Sequence, residues 1–209
     1  MGLYKNLFKQ TAIYGLATVL PRMFSFLLVP LYTDLLPKAA YGKVSIILAY
    51  GMETAFFRFY NNETNKKSVV ETTMVSIFWT TISFLFIALL SRNTLSVWSG
   101  IDSQYIGYTI WILALDALVI IPFSKLRATQ KPMVYAVIKI GNVLVNLILS
   151  VLFLLYIPKI VAANPNGFLS SLYVENFEIG YIFLANIIAS LLTFVVLSPD
   201  YVFLKWNFD

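Results

Sequence analysis

Residues 133–157 read MVYAVIKIGNVLVNLILSVLFLLYI, and Lys139 is the only charged side chain in this run. A helix needs about 20 predominantly apolar residues to cross the roughly 30 Å hydrocarbon core of a bilayer, so the run predicts a transmembrane helix. Lys139, Asn142 and Asn146 fall at i, i+3 and i+7, which places them on one face of that helix. Because lipid would leave such a face unsatisfied, we expect it to point into a helix bundle.

The rest of the chain repeats this pattern. It is 59% hydrophobic and only 12% charged, whereas soluble domains carry about 25% charged residues. We therefore expect an all-α fold, a single polytopic bundle of about six transmembrane helices over residues 1–209. The predicted spans are 11–33, 41–60, 72–91, 105–123, 133–157 and 179–198. The second span is barely long enough, so a broken helix lining a cavity and a segment lost from a longer parent both stay open.

Several function classes are excluded by residue types that the chain lacks. It has no Cys and no His, which removes thiolate chemistry, the commonest general base and the commonest metal ligand. The acidic residues are scattered singly, and no nucleic-acid-binding motif occurs. We therefore expect no catalytic residue, no metal site, no cofactor and no nucleic-acid partner.

The basic residues predict the orientation of the chain in the membrane. With the N-terminus inside, cytoplasmic segments hold nine Lys and Arg residues and outside segments hold four. The positive-inside rule then places both termini in the cytoplasm. Arg58, Lys125 and Arg127 belong to the inner segments. They either set this topology or contact an anionic head group at the cytoplasmic face.

Four of the predicted spans hold a charged residue away from their ends, and these are Arg22, Glu53, Asp116 and Lys139. An ionised group in hydrocarbon costs several kcal/mol unless it is paired or hydrated, so each is a candidate functional residue. Arg22 contacts an anion in a cavity, pairs with Glu53 or Asp116, or snorkels to an interface. The two carboxylates either couple transport to an ion or neutralise Arg22, Arg58 or Lys139.

A family resemblance follows from the order and spacing of several segments. These are LFKQTAIYGLATVLPR at 7–22, LVPLYT at 28–33, Tyr41-Gly42, GMETAFFRFY at 51–60 and RATQKP at 127–132. In this order they resemble the polysaccharide (O-antigen-type) flippases of the multidrug/oligosaccharidyl-lipid/polysaccharide (MOP) exporter superfamily. The chain departs from that family in having one bundle instead of two, and in a shorter stretch between Tyr41 and Arg58.

The resemblance implies a MATE-like N-terminal lobe in the bacterial inner membrane. Its implied activity is to flip a polyprenyl-pyrophosphate-linked oligosaccharide by alternating access, for surface polysaccharide such as the O-antigen of lipopolysaccharide. The implied partners are this lipid-linked oligosaccharide, membrane lipids, a coupling H⁺ or Na⁺, and a second lobe or second copy. The resemblance implies no enzymatic activity.

Under that resemblance the candidate residues divide into three groups. Cavity contacts to phosphate or sugar are Arg22, Lys139, Asn142 and Asn146, ion-coupling or charge-pairing residues are Glu53 and Asp116, and head-group contacts are Arg58, Lys125 and Arg127. Interhelical hydrogen bonding is the structural alternative for the α-helical stripe of Lys139, Asn142 and Asn146. Three other functions stay open: a multidrug/cation antiporter, a membrane enzyme acting on polyprenyl-phosphate sugars, and an assembly subunit without transport.

Overall fold

The computed structural model of the 209-residue chain describes residues 9–17, 19, 52–163, 167, 173–174 and 177–202. These residues form helices joined by short turns, and none of them lies in a strand. The helices are α1 (residues 9–17), α2 Met52–Asn62, α3 Lys66–Leu90, α4 Arg92–Ser99, α5 Ser103–Ala128, α6 Pro132–Val151, α7 Ile157–Ala163, α8 Glu178–Leu197 and α9 Pro199–Val202. The predicted all-α fold is confirmed.

Within the described part of the chain, four helical stretches are long and apolar enough to cross a membrane: α3, α5, the continuous stretch Pro132–Ala163, and α8. The chain is therefore a membrane-embedded helical bundle. The first three of these helices extend beyond the predicted spans 72–91, 105–123 and 133–157 by several residues. Backbone hydrogen bonds continue past the last apolar residue, so an apolar run underestimates the length of its helix. Most of the predicted spans 11–33 and 41–60 lies outside the described residues.

Two predicted connections contain helix. The connection 91–104 holds α4, which ends at Gly100 in the left-handed conformation with φ +69 that glycine adopts readily. The connection expected to start at Pro158 is instead helical through α7, with a π-helical turn over Leu152–Tyr156. Pro158 would clash with the carbonyl of residue 154 in a regular α-helix, and the wider turn just before it relieves that clash.

Helix α5 is the centre of the described bundle. It packs between α3 and α8, and α6 packs mainly against α8 with a smaller contact to α5. These two packed helices both carry small buried side chains, Ala114 and Ala117 on α5 and Ala185 and Ala189 on α8. Small residues let two helix backbones approach closely, which is how helices associate in a membrane where burial of apolar surface gives little driving force.

The ends of the helices fix their relative directions. Tyr105, near the start of α5, stacks on Phe183, near the start of α8, with ring centroids 5.8 Å apart. Near the other end, Lys125 of α5 forms an ion pair with Asp200, just after α8. The two helices are therefore parallel, and α3 and α6 run opposite to them. One end of the bundle therefore collects several basic residues, and we call it the basic end. Its basic residues are Lys66, Lys67, Lys125, Arg127 and Lys131.

A proline within α5 explains how α9 is attached to the bundle. Pro122 has no N–H, so the carbonyl of Leu118, four residues earlier, loses its helical donor. The Tyr201 hydroxyl of α9 donates to that carbonyl at 2.6 Å. Burial, with the charge of Asp200 as a smaller cause, raises the pKa of Tyr201 above its usual range, so the hydroxyl stays a donor at neutral pH.

Tyr201→Phe is expected to destabilise the protein by about 1–3 kcal/mol, because the Leu118 carbonyl then has no donor inside the bundle. The measurement is the free energy of unfolding of the detergent-solubilised chain. Tyr156→Phe is the matched control, since Tyr156 is 62% exposed. Pro122→Ala restores a backbone N–H near Leu118, so the loss caused by Tyr201→Phe should shrink in that background. Equal losses in both backgrounds would contradict this explanation.

Candidate functional site

Polar side chains from three spans meet along one seam of the bundle. Pro132 begins α6, as prolines often do, and the apolar pattern of that helix leaves one polar stripe. The stripe meets α5 on one side and α8 on the other. We call this set of side chains the polar column; its members are Asp116 of α5, Lys139, Asn142 and Asn146 of α6, and Ser190 and Thr193 of α8.

The two asparagines of the column hydrogen-bond in different ways. Asn142 donates from Nδ2 to the hydroxyl of Thr193 at 2.9 Å, which joins α6 to α8. Thr193 is buried and donates in turn to the carbonyl of Ala189 in its own helix. Asn146 accepts from the hydroxyl of Ser150, one turn further along α6, at 3.4 Å. Asn142 therefore has the interhelical role that the sequence left open as the alternative to cargo binding.

Asp116 lies in the middle of α5. The Ser190 hydroxyl donates to its Oδ1 at 2.8 Å, and Ser190 is only 3% exposed. The Asp116 side chain itself is exposed. Lys139 attracts this carboxylate electrostatically, but no ion pair within 4.0 Å joins Asp116 to any described residue. The carboxylate is thus oriented by the Ser190 hydroxyl.

The ammonium of Lys139 is held by an aromatic ring. Its Nζ lies 5.3 Å from the ring centroid of Phe123, which is buried. Phe123 is five residues from the end of α5, about 8 Å along the axis at 1.5 Å per residue. A lysine side chain leans toward the N-terminus of its helix, so the charge lies closer to the basic end than the backbone of Lys139 does. Within the described residues no carboxylate lies within ion-pair distance of it.

Arg127 joins three helices at the basic end. In the last turn of α5 it forms an ion pair with Glu53 of α2, and its guanidinium lies 5.1 Å from the ring of Phe57 and 5.8 Å from that of Tyr135. The sequence proposed Arg22, Arg58 or Lys139 as the partner of Glu53. The described partner is instead Arg127, because α2 crosses α5 at its last turn. The side chains are 31% and 42% exposed, so we expect the ion pair to contribute at most about 1 kcal/mol.

The other predicted site residues lie apart from the column. Lys125 pairs with Asp200 at 2.6 Å. Arg58 is exposed on α2 and has no ion pair with a described residue. Arg22 lies outside the described residues, so the geometry does not include it.

Sequence analysis did not identify Ser190 and Thr193 of the column. A signal for them exists, since Asn186, Ser190 and Thr193 fall at i, i+4 and i+7 in the last span, the same polar stripe as in α6. Their partners, Asp116 and Asn142, lie 74 and 51 residues away in the chain. Only the packing of α8 against α5 and α6 brings these pairs together.

No family model, no curated protein and no solved structure matches the chain. The fold and the site define the class of this protein. It is a polytopic helical membrane protein that carries ionisable and amide side chains within its spans. Such residues in membrane spans mark substrate, ion or proton pathways.

The bond between Asn142 and Thr193 can be tested with a double-mutant cycle. Asn142→Leu and Thr193→Val should show a coupling free energy of about 0.6 kcal/mol, which is typical of hydrogen bonds between membrane helices. The measurement is unfolding of the detergent-solubilised single and double variants. Thr109→Val is the control, because the Thr109 hydroxyl donates to the backbone carbonyl of Tyr105 within its own helix. The effects of Asn142→Leu and Thr109→Val should therefore be additive. Additivity in both cycles would mean that no such bond forms.

Arg127 forms an ion pair with Glu53 and also contacts two aromatic rings, so replacing Arg127 and replacing Glu53 should have unequal effects on stability. Arg127→Gln should destabilise the protein more than Glu53→Gln, by about 0.5–1 kcal/mol, because it also removes the cation from two aromatic rings. Arg58→Gln is the control, with an expected change within about 0.5 kcal/mol, as for other exposed residues. Unfolding free energies measured under one condition make the comparison. If Glu53→Gln is the more damaging change, the ring contacts contribute little.

Proposed function

We propose that this chain is one lobe of a transporter that flips a lipid-linked oligosaccharide across the bacterial inner membrane for surface polysaccharide synthesis. One observation carries the proposal: the ammonium of Lys139, in a membrane-length helix, lies against the ring of Phe123, and no carboxylate of the described residues lies within ion-pair distance of it. The sequence resemblance to polysaccharide flippases supports the same function. The proposal involves transport without covalent chemistry.

The two parts of the proposed cargo prefer opposite solvents. A polyprenyl tail stays in the bilayer, whereas a pyrophosphate with its sugars cannot enter hydrocarbon unaided. A protein must therefore offer a polar, cationic path. Lys139 supplies the charge, and a cation–π contact offsets only about 0.5–2 kcal/mol of the cost of keeping it there. An anionic group that reaches the Lys139 ammonium can form an ion pair with it, which no carboxylate of the described residues does.

The rest of the polar column fits the sugar part of such a cargo. Asparagine side chains both donate and accept hydrogen bonds, as sugar hydroxyls require. Asn142 is engaged with Thr193, so its first role is to fix the distance between α6 and α8. Among the described residues, Asn146 is bonded only to Ser150, one turn along its own helix, which makes it the better candidate for sugar contact.

Alternating access requires two bodies that rock against each other. We therefore include a second lobe or a second copy of the chain in the proposal. The basic end faces the cytoplasm under the positive-inside rule, which puts both termini inside. In this orientation the Lys139 ammonium lies near the cytoplasmic side of the bundle, where a newly made lipid-linked sugar arrives.

Asp116 favours a second candidate, a multidrug/cation antiporter of the same superfamily. Its carboxylate accepts from Ser190 and has no ion pair within 4.0 Å among the described residues. Such a group can bind a cationic cargo, or H⁺ or Na⁺ that drives transport. The two candidates differ in which charge is indispensable: Lys139 for an anionic cargo and Asp116 for a cationic one.

Complementation tests the proposal. In a bacterial strain deleted for the flippase of its surface-polysaccharide pathway, the chain should restore surface polymer, either alone or with the second half of such a flippase. Lys139→Met should reduce polymer at least tenfold, and Lys139→Arg should retain most of it because the charge is kept. Lys159→Gln, an exposed cation on α7, is the control. Expression in the membrane is matched by immunoblot.

Two results would contradict the proposal. Full activity of Lys139→Met at matched expression would remove Lys139 as the anion contact. Absence of polymer with the chain, both alone and with the second half, would argue against flipping. Growth protection against cationic drugs that is lost in Asp116→Asn would then favour the antiporter.

A further inference from the structure

A cavity of about 370 Å³ opens at the basic end, away from the polar column. It lies between the start of α3, the end of α5 and the segment after α8. The ionisable residues of its lining are Tyr60, Lys66, Lys67, Glu71, Lys125 and Asp200. Three ammonium groups thus face two carboxylates, which leaves a formal charge of 3 − 2 = +1. The volume is within the range of about 300–1,000 Å³ that ligand pockets show.

The positive charge of the cavity is concentrated on Lys66 and Lys67. Lys125 is neutralised by Asp200 at 2.6 Å. Lys67 has only a loose partner, Glu71 at 3.8 Å, and its side chain is 71% exposed. In that pair lysine precedes glutamate on the helix, which is the less favourable order for i, i+4 partners.

The ammonium of Lys66 has neutral partners. It donates to the backbone carbonyl of Tyr60 and lies 5.2 Å from the centroid of the same residue's ring. Among the described residues no carboxylate is within ion-pair distance of it. Both contacts hold the charge at the wall of the cavity without cancelling it.

The position of these lysines on α3 adds to the positive potential. They are the first two residues of a 25-residue helix with no acidic residue in its first turn. The N-terminus of a helix already carries about half a positive charge, so cations there are disfavoured and anions are stabilised. A bound anion would be attracted by the helix and by both lysines at once.

We propose that this cavity binds the phosphate of an anionic phospholipid head group at the membrane surface. Lysine binds phosphate as a mobile point charge. The cavity lies where membrane-length helices end, and Val70 and Pro199 give part of its wall an apolar surface for the lipid beyond the phosphate. This inference is independent of the transport proposal, since no member of the polar column lines the cavity.

The test is native mass spectrometry of the full chain in detergent. It measures the binding of phosphatidylglycerol, phosphatidylcholine and inorganic phosphate. Wild type should bind phosphatidylglycerol more tightly than phosphatidylcholine. Lys66→Gln/Lys67→Gln should weaken phosphatidylglycerol binding roughly tenfold or more, since a membrane-surface lysine contributes about fivefold. Lys9→Gln/Lys131→Gln, which removes two exposed cations outside the cavity, is the matched control with an expected change under about twofold.

Melting temperatures without lipid check that each variant is folded. Should the double variant unfold, Lys67→Gln alone replaces it, with an expected loss of about fivefold. Equal weakening in both double variants would overturn the proposal, because binding would then follow net charge and not the cavity. Equal affinity for phosphatidylcholine would also overturn it. Tight binding of inorganic phosphate with the same lysine dependence would assign the site to free phosphate and overturn the lipid assignment.

Discussion

A polar group inside a membrane must find its partner within the protein, and this constraint explains the contacts that hold the bundle together. Pro122 frees the carbonyl of Leu118, and Tyr201 of α9 supplies the missing donor. Asn142 and Thr193 satisfy each other across α6 and α8. Each bond is modest in energy, but breaking one exposes a group that the surrounding hydrocarbon cannot satisfy. The polar side chains therefore determine which helix faces meet.

The kind of partner that a charged side chain has changes along the bundle axis. At the basic end, Arg127 and Lys125 each have a carboxylate partner. Further in, Lys139 has an aromatic ring and Asp116 has a hydroxyl. A full ion pair fixes two helices at one separation, whereas a ring or a hydroxyl leaves most of the charge available. The paired residues thus act as fixed structure, and the partly satisfied ones are suited to a mobile ion or head group.

The sequence predicted those features that depend on local properties of the chain. Length and hydropathy were sufficient for α3, α5, α6 and α8, and helical periodicity put Lys139, Asn142 and Asn146 on one face. Helix ends were missed, as at Pro158, because backbone bonding continues where hydropathy falls. Partners were missed because they depend on packing: Glu53 meets Arg127 across 74 residues of chain. The cavity at the basic end was invisible for the same reason, since it needs α3, α5 and α9 together.

The basic end and the polar column divide the attraction of anions between them. Lys66 and Lys67 are exposed to the membrane surface, where salt screens a charge within about 8–10 Å, so they act on groups that are already close. Lys139 lies in a less polar environment, where the same charge acts more strongly but is harder to reach. An anion held at the surface has little to gain from moving inward unless its hydration is replaced. Under the transport proposal, the amides beside Lys139 would replace the hydration of sugar hydroxyls, which a lipid-linked oligosaccharide has and a simple phospholipid lacks.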